Sequence, residues 1–230
     1  GSTVLAAIFL FAGGWEFRWV VFIAVVAVFW VVLFSLWDIR QKVRNAKGGI
    51  VQGLRRIPVS YRGMLVAHMG VAMTVLGVAL VASYDVERDV RMSKGDSIEI
   101  SGYTFVFQGV KEIKGPNFNA VEGAVEVFLG NSKIAHLQPQ KRTYFVQRNV
   151  MTEAAINPGL FRDLYVALGE PIDDVSWAVR IYYKPYMRWV WLGALVMALG
   201  GVIAVSDRRY RMKIKQKVAA LNGGVAGGAV

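Results

Sequence analysis

The 230-residue chain contains no cysteine and only two histidines, His68 and His136. Without a thiol it can form no disulfide and perform no thiol chemistry itself, even in a compartment that permits disulfides. It also lacks a Ser/His/Asp or paired-carboxylate arrangement that would stand out from an ordinary solvated surface. The sequence therefore predicts no catalytic residue.

Charge is missing from three long stretches, each close to the length of one membrane crossing. Residues 19–37, 63–84 and 189–206 contain no Asp, Glu, Lys or Arg over 19, 22 and 18 residues. An α-helix rises about 1.5 Å per residue, so even the shortest stretch extends roughly 27 Å, near the hydrocarbon thickness of a bilayer. We predict three transmembrane helices. A transporter is disfavoured, because the chain has no inverted repeat and no pair of Gly/Pro-broken helices.

The apolar segment at the start, within residues 1–14, is too short to cross a membrane. It has neither the basic flank of a signal peptide nor an initiating Met. We interpret it as the end of a truncated transmembrane helix, with an interfacial segment or an expression remnant as the alternative.

Positive charge is concentrated in two segments, and this predicts the orientation in the membrane. Residues 40–62 contain seven basic residues and no acidic one, and the segment after Ser206 contains six against Asp207 alone. Residues 84–187, by contrast, contain 12 basic and 13 acidic residues. Lys and Arg beside helix ends remain cytoplasmic, so we expect residues 38–62 and 207–230 in the cytoplasm and 85–187 on the other side. Orientation thus accounts for the net charge of +11 without a nucleic-acid partner.

Residues 85–187 show the alternation that is typical of β-strands. Apolar side chains recur at every second position over 103–107, 125–129 and 177–183, and Gly130-Asn131-Ser132 predicts a hairpin turn after the second segment. The apolar run 164–168 fits either a strand or a helix end. We expect a small barrel or sandwich. The fold class is an α-helical transmembrane protein, with three full spans plus a partial N-terminal helix, and an inserted extracytoplasmic all-β domain.

Aromatic residues cluster just before and within the third charge-free run. These residues are Tyr183, Tyr186, Trp189 and Trp191. An aromatic belt at the membrane interface accounts for them, and ligand stacking is the alternative.

His68 is the one histidine inside a charge-free run, six residues past Arg62 and so roughly 9 Å into the helix. An ionisable side chain in a membrane helix is costly and by default marks a functional site. One turn away lie Met64 and Ala72, which provide no acid; this disfavours a proton relay and favours a neutral, metal-binding imidazole. A hydrogen bond across a helix interface and a quinone contact stay open. His136 lies in a polar stretch and is expected to be solvated.

Gly63, Gly70 and Gly77 recur every seven residues around His68. Seven residues are nearly two helical turns, so the three glycines share one face. Such a face allows another helix or a flat ligand to approach the backbone closely. We therefore predict His68, Met64 and Gly70 as cofactor-binding residues, with His68 as the metal ligand.

Three segments resemble the C-terminal part of the CcmF family of cytochrome c-type biogenesis proteins. They are Arg-Gly-Met-Leu-Val-Ala-His-Met-Gly-Val at 62–71, Phe-Arg-Asp-Leu-Tyr-Val-Ala-Leu-Gly-Glu at 161–170, and Lys-Pro-Tyr-Met-Arg-Trp-Val-Trp-Leu-Gly at 184–193, the last followed by Met-Ala-Leu-Gly-Gly at 197–201. The segments occur in the order that the family has. The resemblance runs over about residues 14–210.

The resemblance implies a haem lyase component of the bacterial inner membrane, with residues 85–187 in the periplasm. CcmF proteins take haem from the haem chaperone CcmE and act with CcmH and CcmI, which handle apocytochrome c. They also hold a haem b between two transmembrane histidines, through which electrons pass from quinol to the incoming haem. His68 matches one of these two axial ligands, so haem b and quinol are the implied cofactors.

The chain departs from the family pattern in three features. The tryptophan-rich WWD segment that cradles the incoming haem, the two histidines that flank it and the second haem b ligand are absent. We therefore expect a C-terminal fragment or one piece of a split protein, which needs the N-terminal part of the same protein for activity. The alternative is a non-catalytic membrane scaffold whose β domain binds a partner protein and whose His68 only bonds between helices.

Overall fold

A computed structural model describes residues 1–12, 16–44, 52–53, 57–146 and 149–207. The chain divides into two compact units, residues 1–79 with 189–230 and residues 80–188. The described part of the first unit is helical, and the second consists mainly of β-strands.

The helices fully within the described residues are α1 (Ser2–Ala12), α2 (Trp19–Arg44), α3 (Val59–Tyr84) and α4 (Met187–Val205). By length and composition, α2, α3 and α4 can each cross a membrane, which confirms the prediction of three helices of spanning length. α1 has 11 residues and packs on α2, with the Phe9 and Phe29 rings edge to face at 6.4 Å.

Two of the helices extend into the segment that was expected to be a loop, residues 38–62. α2 continues to Arg44 and α3 begins at Val59, so both ends of this segment are helical. The predicted loop was too long, because the prediction ended each helix at the first charged residue. A helix satisfies its backbone hydrogen bonds internally, so it can continue past the hydrocarbon region into water.

α3 and α4 are in direct backbone contact along glycines. A Cβ added to Gly70 would lie 2.6 Å from the Gly193 carbonyl oxygen, and one added to Gly193 would lie 2.6 Å from the Gly70 carbonyl oxygen. Gly63 and Gly200 oppose each other in the same reciprocal way. Gly193 and Gly200 are seven residues apart, so α4 repeats the spacing of α3. Another helix, rather than a flat ligand, therefore occupies the glycine face.

The β domain is a sandwich of antiparallel strands. One sheet has the order β1-β10-β9-β8, and the other has the order β2-β3-β4-β6-β7, with β5 pairing the remaining half of the β4 edge. The strands are β1 Val86–Ser93, β2 Ser97–Ile100, β3 Tyr103–Lys114, β4 Phe118–Leu129, β5 Ser132–Leu137, β6 Gln140–Tyr144, β7 Val150–Glu153, β8 Ala155–Asn157, β9 Arg162–Pro171 and β10 Ser176–Pro185.

The core lies between the two sheets and follows the alternation of the sequence. Side chains with no more than 1% of their surface exposed are Phe105, Phe107, Val125, Val127, Leu164, Val166, Leu168, Val179 and Ile181. The run 164–168 is therefore the middle of strand β9. The expected hairpin connects β4 to β5, with Leu129 opposite Ser132 and Gly130 at φ +57°, a left-handed conformation that glycine adopts easily.

Glu122 is a buried carboxylate on β4, with 7% of its surface exposed. It accepts hydrogen bonds from Gln138 Nε2 at 3.1 Å and Gln140 Nε2 at 2.6 Å, and Lys111 Nζ lies 2.8 Å away. The hydrogen-bonded Lys111 ammonium lowers the pKa of Glu122, and Gln140 adds to this, although burial acts in the opposite direction. The group is therefore a stabilising anion of the fold.

We expect Gly200→Ala to destabilise the protein by about 1–3 kcal/mol, because the new methyl group would overlap the backbone of α3 at Ala67. Gly201→Ala is the matched control, since a Cβ there meets no atom within 4 Å. Thermal unfolding of the purified protein in detergent measures both variants. Equal losses of stability in the two variants would contradict the backbone contact.

We expect Glu122→Gln to lower the free energy of unfolding by about 1–3 kcal/mol at neutral pH. Because the pKa of Glu122 is lower in the folded protein, the carboxylate stabilises the fold above the ordinary glutamate pKa and loses this effect as the pH falls through the folded-state value. The difference between the variant and the parent should therefore shrink on acidification. Denaturation at a series of pH values measures it, with the exposed Glu112→Gln as control. A difference that is independent of pH would refute the role of the charge.

Candidate functional site

His68 is exposed on α3 and makes a hydrogen bond within its own helix. Its Nδ1 lies 2.8 Å from the carbonyl oxygen of Met64. A carbonyl oxygen can only accept, so Nδ1 carries the proton and donates it. In the neutral imidazole, Nε2 then keeps its lone pair, as a metal ligand requires.

Of the three residues that were predicted to bind a cofactor, the structure keeps Met64 beside His68 and places Gly70 on another face of α3. Gly70 is buried against Gly193 and Met197 of α4, two residues after His68 and so about 200° around the helix from it. In this structure Gly70 packs α3 on α4, and its predicted contact with the cofactor of His68 stays a prediction. Met64 contributes its carbonyl oxygen to His68, and its residue surface is 42% exposed.

Asp207 caps the start of α3 and was not recognised from the sequence. Its residue surface is 7% exposed, and its Oδ2 accepts a hydrogen bond of 3.0 Å from the backbone N–H of Ser60. The first N–H groups of a helix have no partner inside the helix and favour a negative charge nearby. The available signal was the spacing, because position 207 continues the seven-residue series of Gly193 and Gly200.

A second polar contact connects the same end of α3 to α2. The Tyr61 hydroxyl donates to Asp38 Oδ2, and Lys42 Nζ donates to the same oxygen at 2.5 Å. Lys42 Nζ also lies 4.3 Å from the centre of the Tyr61 ring. Ser60 and Tyr61 precede His68 by about two helical turns. The position of His68 along the membrane helices is thus set by an ion pair, a tyrosine contact and a helix cap at one end of α3.

The described residues of the β domain contain no cluster that could hold a metal ion. His136 is exposed, as expected, and lies opposite Glu126 across the β4–β5 pair. The described part of the chain contains no group of three or more His, Asp or Glu residues that could hold a metal ion. The polar groups of β4 that we describe instead pair with neighbouring side chains, as Glu126 does with Lys133 at 2.5 Å.

These features define a class of protein: an integral membrane protein with three apolar helices, a β-sandwich inserted between the last two, and an exposed imidazole within a membrane helix. Residues 83–185 match the family model of the CcmF C-terminal β-sandwich. A relative 45% identical over 95% of this chain carries the same family name, so the resemblance found in the sequence is confirmed and the chain belongs to the CcmF family.

Two curated relatives match 70% and 95% of the chain. It is 45% identical over 218 residues to the cytochrome c-type biogenesis protein CcmF of Pseudomonas fluorescens, a match that covers 95% of this chain and 33% of the relative. It is 48% identical over 161 residues to CcmF of Escherichia coli, covering 70% of this chain and 25% of that protein. The chain thus spans about a third of the length of the Pseudomonas relative.

A solved structure of a cytochrome c heme lyase CcmF has the same fold. Its TM-score is 0.69 at 19% sequence identity, over 89% of this chain and 34% of that one. The membrane helices and the sandwich therefore occur together in a known structure.

We expect Asp207→Ala to destabilise the protein by about 0.5–2 kcal/mol, the usual range for loss of a helix cap. Asp207→Asn should retain part of the stabilisation, because an amide oxygen can still accept a hydrogen bond from the Ser60 N–H. Hydrogen exchange at the first turn of α3 and thermal unfolding measure the effect, with the neighbouring exposed Ser206→Ala as control. Unchanged exchange at Ser60 in Asp207→Ala would rule out the cap.

Proposed function

We propose that this chain is the part of a cytochrome c haem lyase component in which His68 would be one of the residues that hold a haem b. The observation that carries the proposal is the hydrogen bond from His68 Nδ1 to the Met64 carbonyl, which leaves Nε2 for the iron. The names of the relatives, cytochrome c-type biogenesis proteins, and that of the solved structure, a cytochrome c heme lyase, support it.

The residues around His68 fit a haem ligand. A backbone carbonyl selects the tautomer and the ring orientation, in the way that outer partners hold metal-bound histidines. His136, the only other histidine, belongs to the β domain, so the second ligand would come from the N-terminal part of the same protein. A haem b held by His68 and a second histidine would supply one-electron transfer chemistry, with quinol as the proposed electron source.

The other residues of the site position His68. The glycine contact with α4 sets the rotation of α3, and Asp207 with the Asp38–Tyr61–Lys42 cluster sets its height. The exposed face of α3 is left for the haem and for the rest of the protein. In this proposal Met64 acts through its main-chain carbonyl, which orients the His68 ring.

We further infer that the protein resides in the bacterial inner membrane with the sandwich in the periplasm. Basic residues beside the cytoplasmic ends of α2 and α3, such as Arg40, Arg44 and Arg62, support this orientation. In that compartment the sandwich would meet the haem chaperone CcmE, the CcmH and CcmI proteins and apocytochrome c. Its role would be docking.

We expect His68→Ala in the full-length protein to lower haem b content by at least roughly tenfold, since losing a ligand costs no less than losing an outer-shell partner. Pyridine haemochrome spectra of the purified protein measure haem b content. Val71→Ala, another exposed position of α3, is the matched control. Met64→Ala should also retain haem, because the carbonyl that bonds His68 remains. Normal haem content in His68→Ala would exclude the ligand role and favour a scaffold.

A further inference from the structure

The loop between β8 and β9, residues 158–161, presents two apolar side chains at its tip. Leu160 is 54% exposed and Phe161 is 57% exposed. Large exposed apolar side chains that lie side by side are costly in water. Leu160 and Phe161 are therefore expected to contact an environment other than water.

Hydrogen bonds on both sides hold this loop in a defined shape. The Gly159 N–H donates to Asp163 Oδ1 at 2.9 Å, and the Arg162 guanidinium donates to the Asn157 carbonyl at 3.0 Å and to its side-chain oxygen at 2.5 Å. Arg162 in turn stacks over the Tyr103 ring at 4.9 Å and donates to its hydroxyl at 3.2 Å. The exposed tip is therefore built into the sandwich.

The loop is bonded to the residues where the chain turns from sandwich to membrane helix. The Tyr186 N–H donates to the Phe161 carbonyl at 2.9 Å, and the two rings meet edge to face at 5.8 Å. Tyr186 has φ +54° and directly precedes the first residue of α4. Arg188, in the first turn of α4, lies 3.6 Å from Asp163 at the other side of the loop.

Position and composition both point to lipid. The start of an apolar membrane helix lies at the lipid–water interface, and a segment bonded to that start shares its depth. Tyr and Trp are enriched at this interface, and the chain has Tyr186 and Trp189 at the start of α4. We propose that Leu160 and Phe161 insert into the boundary between headgroups and acyl chains, so that the sandwich contacts the bilayer through the β8–β9 loop as well as through its two helix connections.

The experiment uses the absence of cysteine from the chain. Leu160→Cys and, separately, Val175→Cys are labelled with an NBD fluorophore, and the 230-residue protein is reconstituted into phosphatidylcholine/phosphatidylglycerol vesicles with or without nitroxide-labelled lipid. Val175 is 70% exposed and lies in the turn between β9 and β10. That turn is at the far end of the same two strands, about 33 Å away. Unfolding midpoints of both labelled proteins are compared with that of the parent.

We expect the nitroxide lipid to lower the fluorescence of the Leu160 label roughly twofold and that of the Val175 label hardly at all. The Leu160 label should also emit at shorter wavelength, and water-borne iodide should quench it less than the Val175 label. If nitroxide lipid quenches both labels equally, or iodide quenches the Leu160 label as well as the Val175 label, the loop faces water or protein and the proposal is overturned. Neither result bears on haem binding by His68.

Discussion

The backbone contact between α3 and α4 is the constraint on which the membrane part depends. Helices in lipid gain little from hydrophobic association, so they associate by close van der Waals packing, which small residues allow. Here each helix places glycine against a carbonyl of the other, at Gly70 with Gly193 and at Gly63 with Gly200. The glycines face each other at only one rotation of each helix about its own axis, so the contact fixes that rotation. It also brings Asp207, which follows α4, to the unpaired N–H groups at the start of α3.

The same constraint gives His68 its properties. Because the glycine face is buried against α4, His68, about 200° around the helix from Gly70, lies on an exposed face of α3. Its hydrogen bond to Met64 stays within the helix and so needs no partner from a neighbouring element. The imidazole is thus held by its own helix, and that bond leaves its second nitrogen available to a ligand from outside the chain.

Much of the fold follows from local patterns. The alternation at Phe105, Phe107 and Val125 predicted strands with one face in the core, and the charge-free runs predicted the membrane spans. Each pattern shows whether the side chains of a segment face water, the protein core or lipid. The site was only partly predictable. Gly70 and His68 are close in sequence but lie on different faces of α3. In the sequence Asp207 is one acidic residue at the start of a basic tail, and only the fold shows that it lies beside Ser60.

Glu122 shows the same limit within the sandwich. In the sequence it has the character of a surface residue, yet Lys111, Gln138 and Gln140 enclose it in the folded domain. A charged residue on a strand is expected to be solvated unless its partners are known, and these partners come from two other parts of the chain, Lys111 and the segment 138–140.

The sequence by itself determined the membrane spans and the β character of residues 85–187, and it marked His68 as a candidate site, since hydropathy, period and the cost of an ionisable group in a membrane helix are properties of short segments. Only the tertiary structure decided that the glycine face receives α4, that Asp207 caps α3 and that the β8–β9 loop bonds to the residue before α4. Such contacts join residues far apart in the chain, and their energies depend on distances that no local pattern records.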